Sequence, residues 1–137
     1  MVEDIFGPKL FQQRARRLLP LLIKLAQAHK AKPITYGELG AKFGVHHRTF
    51  AYPLGSIGVT LNQLGEKWGQ RVPPIQAIVV NKHQGIPGCG FSDFSRDPLP
   101  WENMSLTEKR ELTTEVQNEI FKYRHWDKVA EALDVSP

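Results

Sequence analysis

Apolar residues recur at helical spacing near the start of the chain, and their pattern predicts a long amphipathic helix over residues 8–29. Side chains three and four positions apart share one face of a helix, and here these are Phe11, Ala15, Leu18, Leu22 and Leu25. Pro20 lies inside the pattern. Because proline lacks a backbone donor, we expect a kink at Pro20 or two helices that meet there. The arginines off the apolar stripe are interpreted as solvent-exposed: Arg14, Arg16 and Arg17.

A short helix is predicted over residues 36–43. Thr35 and Glu38 have the spacing of a capping box, in which each side chain bonds the other residue's backbone N–H. Gly44 can adopt the left-handed conformation that ends helices. Leu39 and Phe43 should then face the core.

A second helix is expected over residues 53–64, with Leu54, Ile57 and Leu61 spaced for burial. Residues 65–72 are expected to form a loop. The β-branched run at 75–80 is typical of a buried strand, and residues 88–91 could return as the second strand of a hairpin.

Two helices are predicted in the last third of the chain. Ser105 and Glu108 repeat the capping-box spacing and open a helix over residues 105–123. A final helix is expected at about residues 126–134. The inward-facing positions of the two helices are Leu112, Val116, Ile120, Trp126, Val129 and Leu133.

These elements predict one α+β domain over residues 1–137. Its centre would be a winged-helix-turn-helix core at 33–91, with a small β-hairpin as the wing. An N-terminal helix precedes the core, and the C-terminal helices at 105–134 pack on it. A helix-turn-helix is usually a DNA-reading device.

Charge favours an anionic partner. The net charge is +4 and the pI is about 9.3, and cations that neutralise phosphates release counterions. Cys89 is the single cysteine, which excludes an intrachain disulfide and a multi-cysteine zinc site. We expect no metal or cofactor. No apolar run approaches the ~20 residues of a membrane span, and the start of the chain is unlike a signal peptide, so the cytoplasm is the expected location.

Candidate DNA contacts lie at the turn, on the second helix and at the start of the hairpin. Arg48 could reach a guanine edge, and Asn62 could pair with adenine in a major groove. The full set of candidate contacts is Thr35, Tyr36, His46, His47, Arg48, Tyr52, Ser56, Thr60, Asn62, Lys82 and His83. Exposed polar positions without a ligand explain several of them equally well.

The segment Thr35-Tyr36-Gly37-Glu38-Leu39, a second helix rich in small residues, and a proline before an Ile/Val run together form a pattern. It resembles the DNA-binding domain of the alkylguanine-DNA alkyltransferases and alkyltransferase-like proteins. That family reads TYGELA, then a helix near RAVGxAL, then PxxIxxPCHRV. The resemblance covers roughly 55–60 residues and implies a winged-helix fold that binds duplex DNA.

This sequence departs from the family pattern at the residues that the family uses for alkyl transfer and base flipping. The Pro-Cys-His-Arg turn of the family aligns with Ile78, Val79, Val80 and Asn81. The alkyl-accepting cysteine and its histidine are therefore missing, and the arginine finger is missing near Pro53. The resemblance thus implies a duplex binder without repair catalysis.

Two other functions fit the sequence. A small metal-independent ribonuclease of toxin type could use His46, His47, Lys82 and His83 to move protons and hold phosphates. A protein–protein module, such as an immunity or adaptor protein, could use Trp68 and Phe94 as anchors.

Overall fold

The computed structural model describes residues 9–28, 32–44, 50–87 and 101–135. These residues form α1 (Leu10–Ala26), β1 (Ile34–Thr35), α2 (Tyr36–Phe43), α3 (Ala51–Trp68), β2 (Val79–Val80), α4 (Leu106–Lys122) and α5 (Trp126–Leu133), with 3-10 helices at Ile75–Ile78 and Trp101–Asn103. The arrangement is helix-rich with a small sheet, which is compatible with the predicted α+β class.

The centre of the molecule is the 3-10 helix Ile75–Ile78, which the sequence predicts to be a strand. All four of its residues are buried, and it packs against α1, α3 and α4. Only Val79–Val80 continue as a strand. The strand prediction for 75–80 is therefore wrong over its first four residues, because β-branched residues indicate burial as much as they indicate extended backbone.

Helix α1 supplies much of the core and packs most extensively on α3. It runs as one helix through Pro20, so the alternative of two helices meeting there is wrong. Buried side chains on both sides of the proline, among them Leu19 and Leu22, hold the two halves against the same core. The missing hydrogen bond is tolerated because tertiary packing stabilises a helix more than propensity does.

Helix α3 is longer than predicted at both ends. It continues through Gly65, and it ends where Gly69 takes a left-handed φ of 68°. The Gln70 N–H then donates to the Gly65 carbonyl at 3.1 Å, which is the long bond of a Schellman motif. The predicted loop 65–72 is therefore helical up to Trp68.

The sheet pairs β1 with β2 in parallel, with Ile34 opposite Val79 and Thr35 opposite Val80. The sequence predicts instead that the strand ending at Val80 pairs with residues 88–91 in a hairpin. Residues 88–91 lie outside the described residues, so that pairing stays a prediction.

The C-terminal helices lie where they were predicted, and α5 returns to α1. The Gln27 amide donates to Asp127 Oδ1 at 2.9 Å. Arg16 donates to the carbonyls of Leu133 and Asp134 at 3.1 and 3.2 Å. The start of α5 therefore lies beside the end of α1, and the two helices run antiparallel.

Candidate nucleic-acid interface

Helix α2 begins as the sequence predicts. The Glu38 N–H donates to Thr35 Oγ1 at 3.1 Å, and the Thr35 N–H donates to Glu38 Oε1 at 3.1 Å. The bond from the Thr35 backbone, followed by that with its side chain, lowers the pKa of Glu38. The carboxylate therefore stays ionised at neutral pH, where it satisfies a donor at the helix N-terminus.

The turn after α2 is also confirmed in its described part. Gly44 is left-handed, with φ of 67°, and its N–H donates to the Gly40 carbonyl. Leu39 is buried, but Phe43 is 40% exposed, so its predicted inward position is wrong. The Phe43 ring instead meets Phe50 edge-on, with centroids 5.9 Å apart, and this contact joins the end of α2 to the start of α3.

Three of the predicted DNA contacts, His46, His47 and Arg48, lie outside the described residues. Their roles stay predictions.

One side of α3 is exposed, and we call it the outer face of α3: Tyr52, Gly55, Val59 and Asn62. Tyr52 is 76% exposed and Val59 is 55% exposed. A Cβ added at Gly55 would meet nothing within 4 Å. The C-terminal helices therefore do not cover this face.

Two of the predicted contacts on α3 are buried. Thr60 is fully buried, and its hydroxyl donates to the Ser56 carbonyl at 2.7 Å. Ser56 is itself 9% exposed. Both predictions are wrong as DNA contacts, because α3 packs against α1 and the central 3-10 helix and so buries more than the single stripe that the sequence predicts.

The parallel sheet brings two other predicted segments together. Because Thr35 lies opposite Val80, Tyr36 and Asn81 leave the sheet at the same edge. Thr35 and Tyr36 are half-buried at this edge. This juxtaposition could not be read from residues that are 45 positions apart in the sequence.

Asn81 organises the turn that follows β2, which we call the polar turn: Asn81–Gly85. Its N–H donates to the Ile86 carbonyl at 2.9 Å, its carbonyl accepts from Gly85 at 3.0 Å, and its side chain accepts from the Gln84 N–H. Arg110 of α4 donates to the Gln84 carbonyl at 2.9 Å. Lys82 and His83 project from this braced turn and are exposed.

A basic segment flanks the start of α3. Residues 9–28 contain five cations and no carboxylate side chain: Lys9, Arg14, Arg16, Arg17 and Lys24. The Phe11 ring lies 5.8 Å from the ring of Tyr52, so the first turns of α1 adjoin the outer face of α3. Arg14 is exposed and follows Phe11 by three residues, so it lies on the same side of α1 as this contact. The sequence predicts Arg14 to be solvent-exposed but does not predict this position, because only the packing of α1 on α3 determines it.

Residues 78–80 offer no reactive side chain. Ile78 and Val79 are fully buried, and Val80 is 7% exposed. These hydrophobic side chains pack into the core.

No protein-family model, curated protein or solved structure matches this chain. Within the described ranges, no helix has the length and apolar character to cross a bilayer. Nor do the described His, Cys, Asp and Glu residues form any group of three or more that could hold a metal ion.

Proposed function

We propose that this chain is a non-catalytic, winged-helix-type protein that binds duplex DNA through the outer face of α3 and the polar turn. The observation that carries the proposal is the outer face itself. It follows a capped helix and a left-handed glycine, it is exposed, and it bears apolar and amide groups in place of charges. A helix with these features is suited to a major groove.

Three residues of the outer face could contact duplex DNA. The amide of Asn62 can bond adenine at N6 and N7, and Val59 can contact a thymine methyl group. The open space at Gly55 admits a close approach of the sugar-phosphate backbone. Thr35 and Tyr36, at the sheet edge, could donate to phosphates.

Phosphate attraction would come from residues outside this face, since residues 51–65 carry no charged side chain. Lys82 and His83 on the polar turn and Arg14 on α1 are exposed cations or potential cations. Contacts of this kind position a protein on duplex DNA without reading its sequence. The resemblance of residues 35–39 to alkyltransferase-like proteins supports the same function, and the apolar segment at 78–80 supports binding without alkyl transfer.

The test is fluorescence anisotropy with a labelled duplex of about 20 base pairs, repeated between about 50 and 200 mM salt, a range over which phosphate-driven binding weakens steeply. We expect Lys82→Ala and Arg14→Ala each to reduce the slope of log affinity against log salt by about one. Lys122→Ala is the matched control, because it removes one exposed lysine from the C-terminal turn of α4 and should leave the slope unchanged. Equal effects in all three variants would contradict the proposed interface.

The same samples test the other functions on a gel and by chromatography. Cleaved RNA or DNA, lost on His83→Ala, would replace the proposal with the nuclease hypothesis. A protein–protein module would be favoured if the chain binds another protein with an affinity that does not depend on salt, and has no affinity for duplex DNA. Of the two anchors expected for such a module, Trp68 is half-buried against the core, and Phe94 lies outside the described residues.

A further inference from the structure

A separate pocket lies between the C-terminal end of α3 and the junction of α4 with α5. Its volume is about 330 Å³, which is within the usual range of small-molecule sites, about 300–1,000 Å³. We call it the Tyr123 pocket, and its lining residues are Trp68, Gln70, Tyr123, His125 and Lys128. It shares no residue with the outer face of α3 or the polar turn.

Three aromatic rings line this pocket, and packing holds one of them in place. Tyr123 meets Trp126 edge-on with ring centroids 4.7 Å apart, and it meets His125 edge-on at 5.5 Å. Trp126 is 1% exposed, and its indole N–H donates to the Ile120 carbonyl at 3.0 Å. The Tyr123 ring is therefore a preorganised wall, which reduces the entropy lost when a flat ligand stacks on it.

The polar groups of the pocket are uncommitted. Within the part of the chain that the structure describes, the side chains of Gln70 and Lys128 and the Tyr123 hydroxyl have no hydrogen bond or ion pair. The Tyr123 hydroxyl can donate a hydrogen bond, and burial raises the pKa of this group. Two of the charged side chains nearby are occupied elsewhere: Asp127 accepts from Gln27, and Arg71 pairs with Glu119 at 2.7 Å.

We infer that the Tyr123 pocket binds a nucleoside monophosphate, as a free nucleotide or as the terminal nucleotide of a single strand. Aromatic side chains stack on nucleobases, and Trp68 and Tyr123 offer such surfaces. The Lys128 ammonium can bind the phosphate as a point charge, and the Gln70 amide can bond a base edge. A nucleoside or a phosphate alone would engage only part of this set.

Calorimetric titration with adenosine and guanosine monophosphates tests this site, with adenosine and inorganic phosphate as the two partial ligands. We expect a dissociation constant on the order of micromolar to millimolar for the monophosphates and weaker binding of either partial ligand. Trp101 and Trp126 are buried, whereas Trp68 is half-buried, so nucleotide should also quench tryptophan fluorescence. No monophosphate binding at millimolar concentration, or equal binding of adenosine, would overturn the inference.

Two lysine variants distinguish nucleotide binding in the pocket from general electrostatic attraction of a nucleotide to a basic protein. Lys128→Ala should weaken monophosphate binding about five-fold or more, since it removes a charge-assisted bond. Lys122→Ala, with the same change in charge on α4, should not. Thermal unfolding of both variants checks that the fold is retained. Equal losses in the two variants would refute a defined site.

Competition experiments distinguish a free nucleotide from a strand end as the ligand. The Lys82→Ala variant tests whether the pocket is separate from the duplex interface. A single strand with a 5′ phosphate that competes with the free nucleotide, when its 5′-hydroxyl counterpart does not, would identify a strand end as the ligand. Competition by neither strand would identify the free nucleotide. Lys82→Ala should leave nucleotide affinity unchanged, and a loss equal to that of Lys128→Ala would contradict the separation of the two sites.

Discussion

At the scale of single residues, two buried glutamines near Ala77 differ in their hydrogen bonding. Gln117 of α4 donates to the Ala77 carbonyl at 2.9 Å in a buried contact. Gln76, in the central 3-10 helix, is 1% exposed, and its Oε1 has no partner among the described residues. A buried polar atom without a partner loses its hydration and gains no bond in return.

We therefore predict opposite effects of the same substitution at these two positions. Gln76→Met should raise the free energy of unfolding by about 1 kcal/mol, because it removes an unsatisfied acceptor. Gln117→Met should lower it by about 1–3 kcal/mol, because the buried Ala77 carbonyl loses that donor. Urea unfolding with an unchanged m-value measures both, and shifts of the same sign would contradict the hydrogen bonding described here.

At the scale of elements, the glycines of α3 serve different purposes. Gly55 faces open space on the outer face. At Gly65 an added Cβ would lie 2.8 Å from the Gln70 carbonyl oxygen and 3.3 Å from the Val72 nitrogen. The chain leaving α3 folds back so closely that only glycine fits at this point, which allows residues 70–72 to turn toward the central 3-10 helix.

Alanine substitution should separate the two glycines. Gly55→Ala should stabilise the protein by about 1 kcal/mol through helix propensity alone. If the outer face approaches DNA, the same variant should bind duplex more weakly. Gly65→Ala should destabilise it by about 1–3 kcal/mol, because backbone atoms must move. Thermal unfolding measures the stability of both variants, and fluorescence anisotropy measures their affinity for duplex DNA. A destabilised Gly55→Ala variant would show that this face of α3 is not open.

At the scale of the whole molecule, hydrogen bonds join α5 to α1, the last and first described helices. Arg16 bonds the two carbonyls that end α5, and the residue that ends the helix, Asp134, has a left-handed φ of 55°. Buried residues of the five described α-helices belong to one hydrophobic cluster. Loss of the Arg16 hydrogen bonds should therefore destabilise α5 more than the rest of the core.

We predict that Arg16→Ala speeds hydrogen exchange of the α5 amides about five-fold, corresponding to roughly 1 kcal/mol of lost local stability. Arg17→Ala is the matched control, because Arg17 is exposed on the same helix and has no hydrogen bond or ion pair within the described residues. Exchange measured by mass spectrometry resolves α5 from α2 and α3. Uniform acceleration over all helices in Arg16→Ala would indicate global unfolding and contradict a local role.

Local signals in the sequence by themselves determined where most helices begin and end. The capping boxes at Thr35 and Ser105 and the left-handed turn at Gly44 depend on residues within four positions of each other, so their physics is complete in a short segment. The apolar spacing likewise identified the buried faces of α1, α4 and α5. The lack of a thiol near residues 78–81 was also evident without any structure.

Only the tertiary structure decided which polar residues are accessible and which distant segments meet. It buried Ser56 and Thr60, turned residues 75–78 into a central 3-10 helix, and paired β1 with β2 in parallel. It also placed Arg14 near the outer face of α3, and it assembled the Tyr123 pocket from residues about 60 positions apart. These outcomes depend on contacts between elements, whose energies arise from shape and burial in three dimensions and leave no trace in local periodicity.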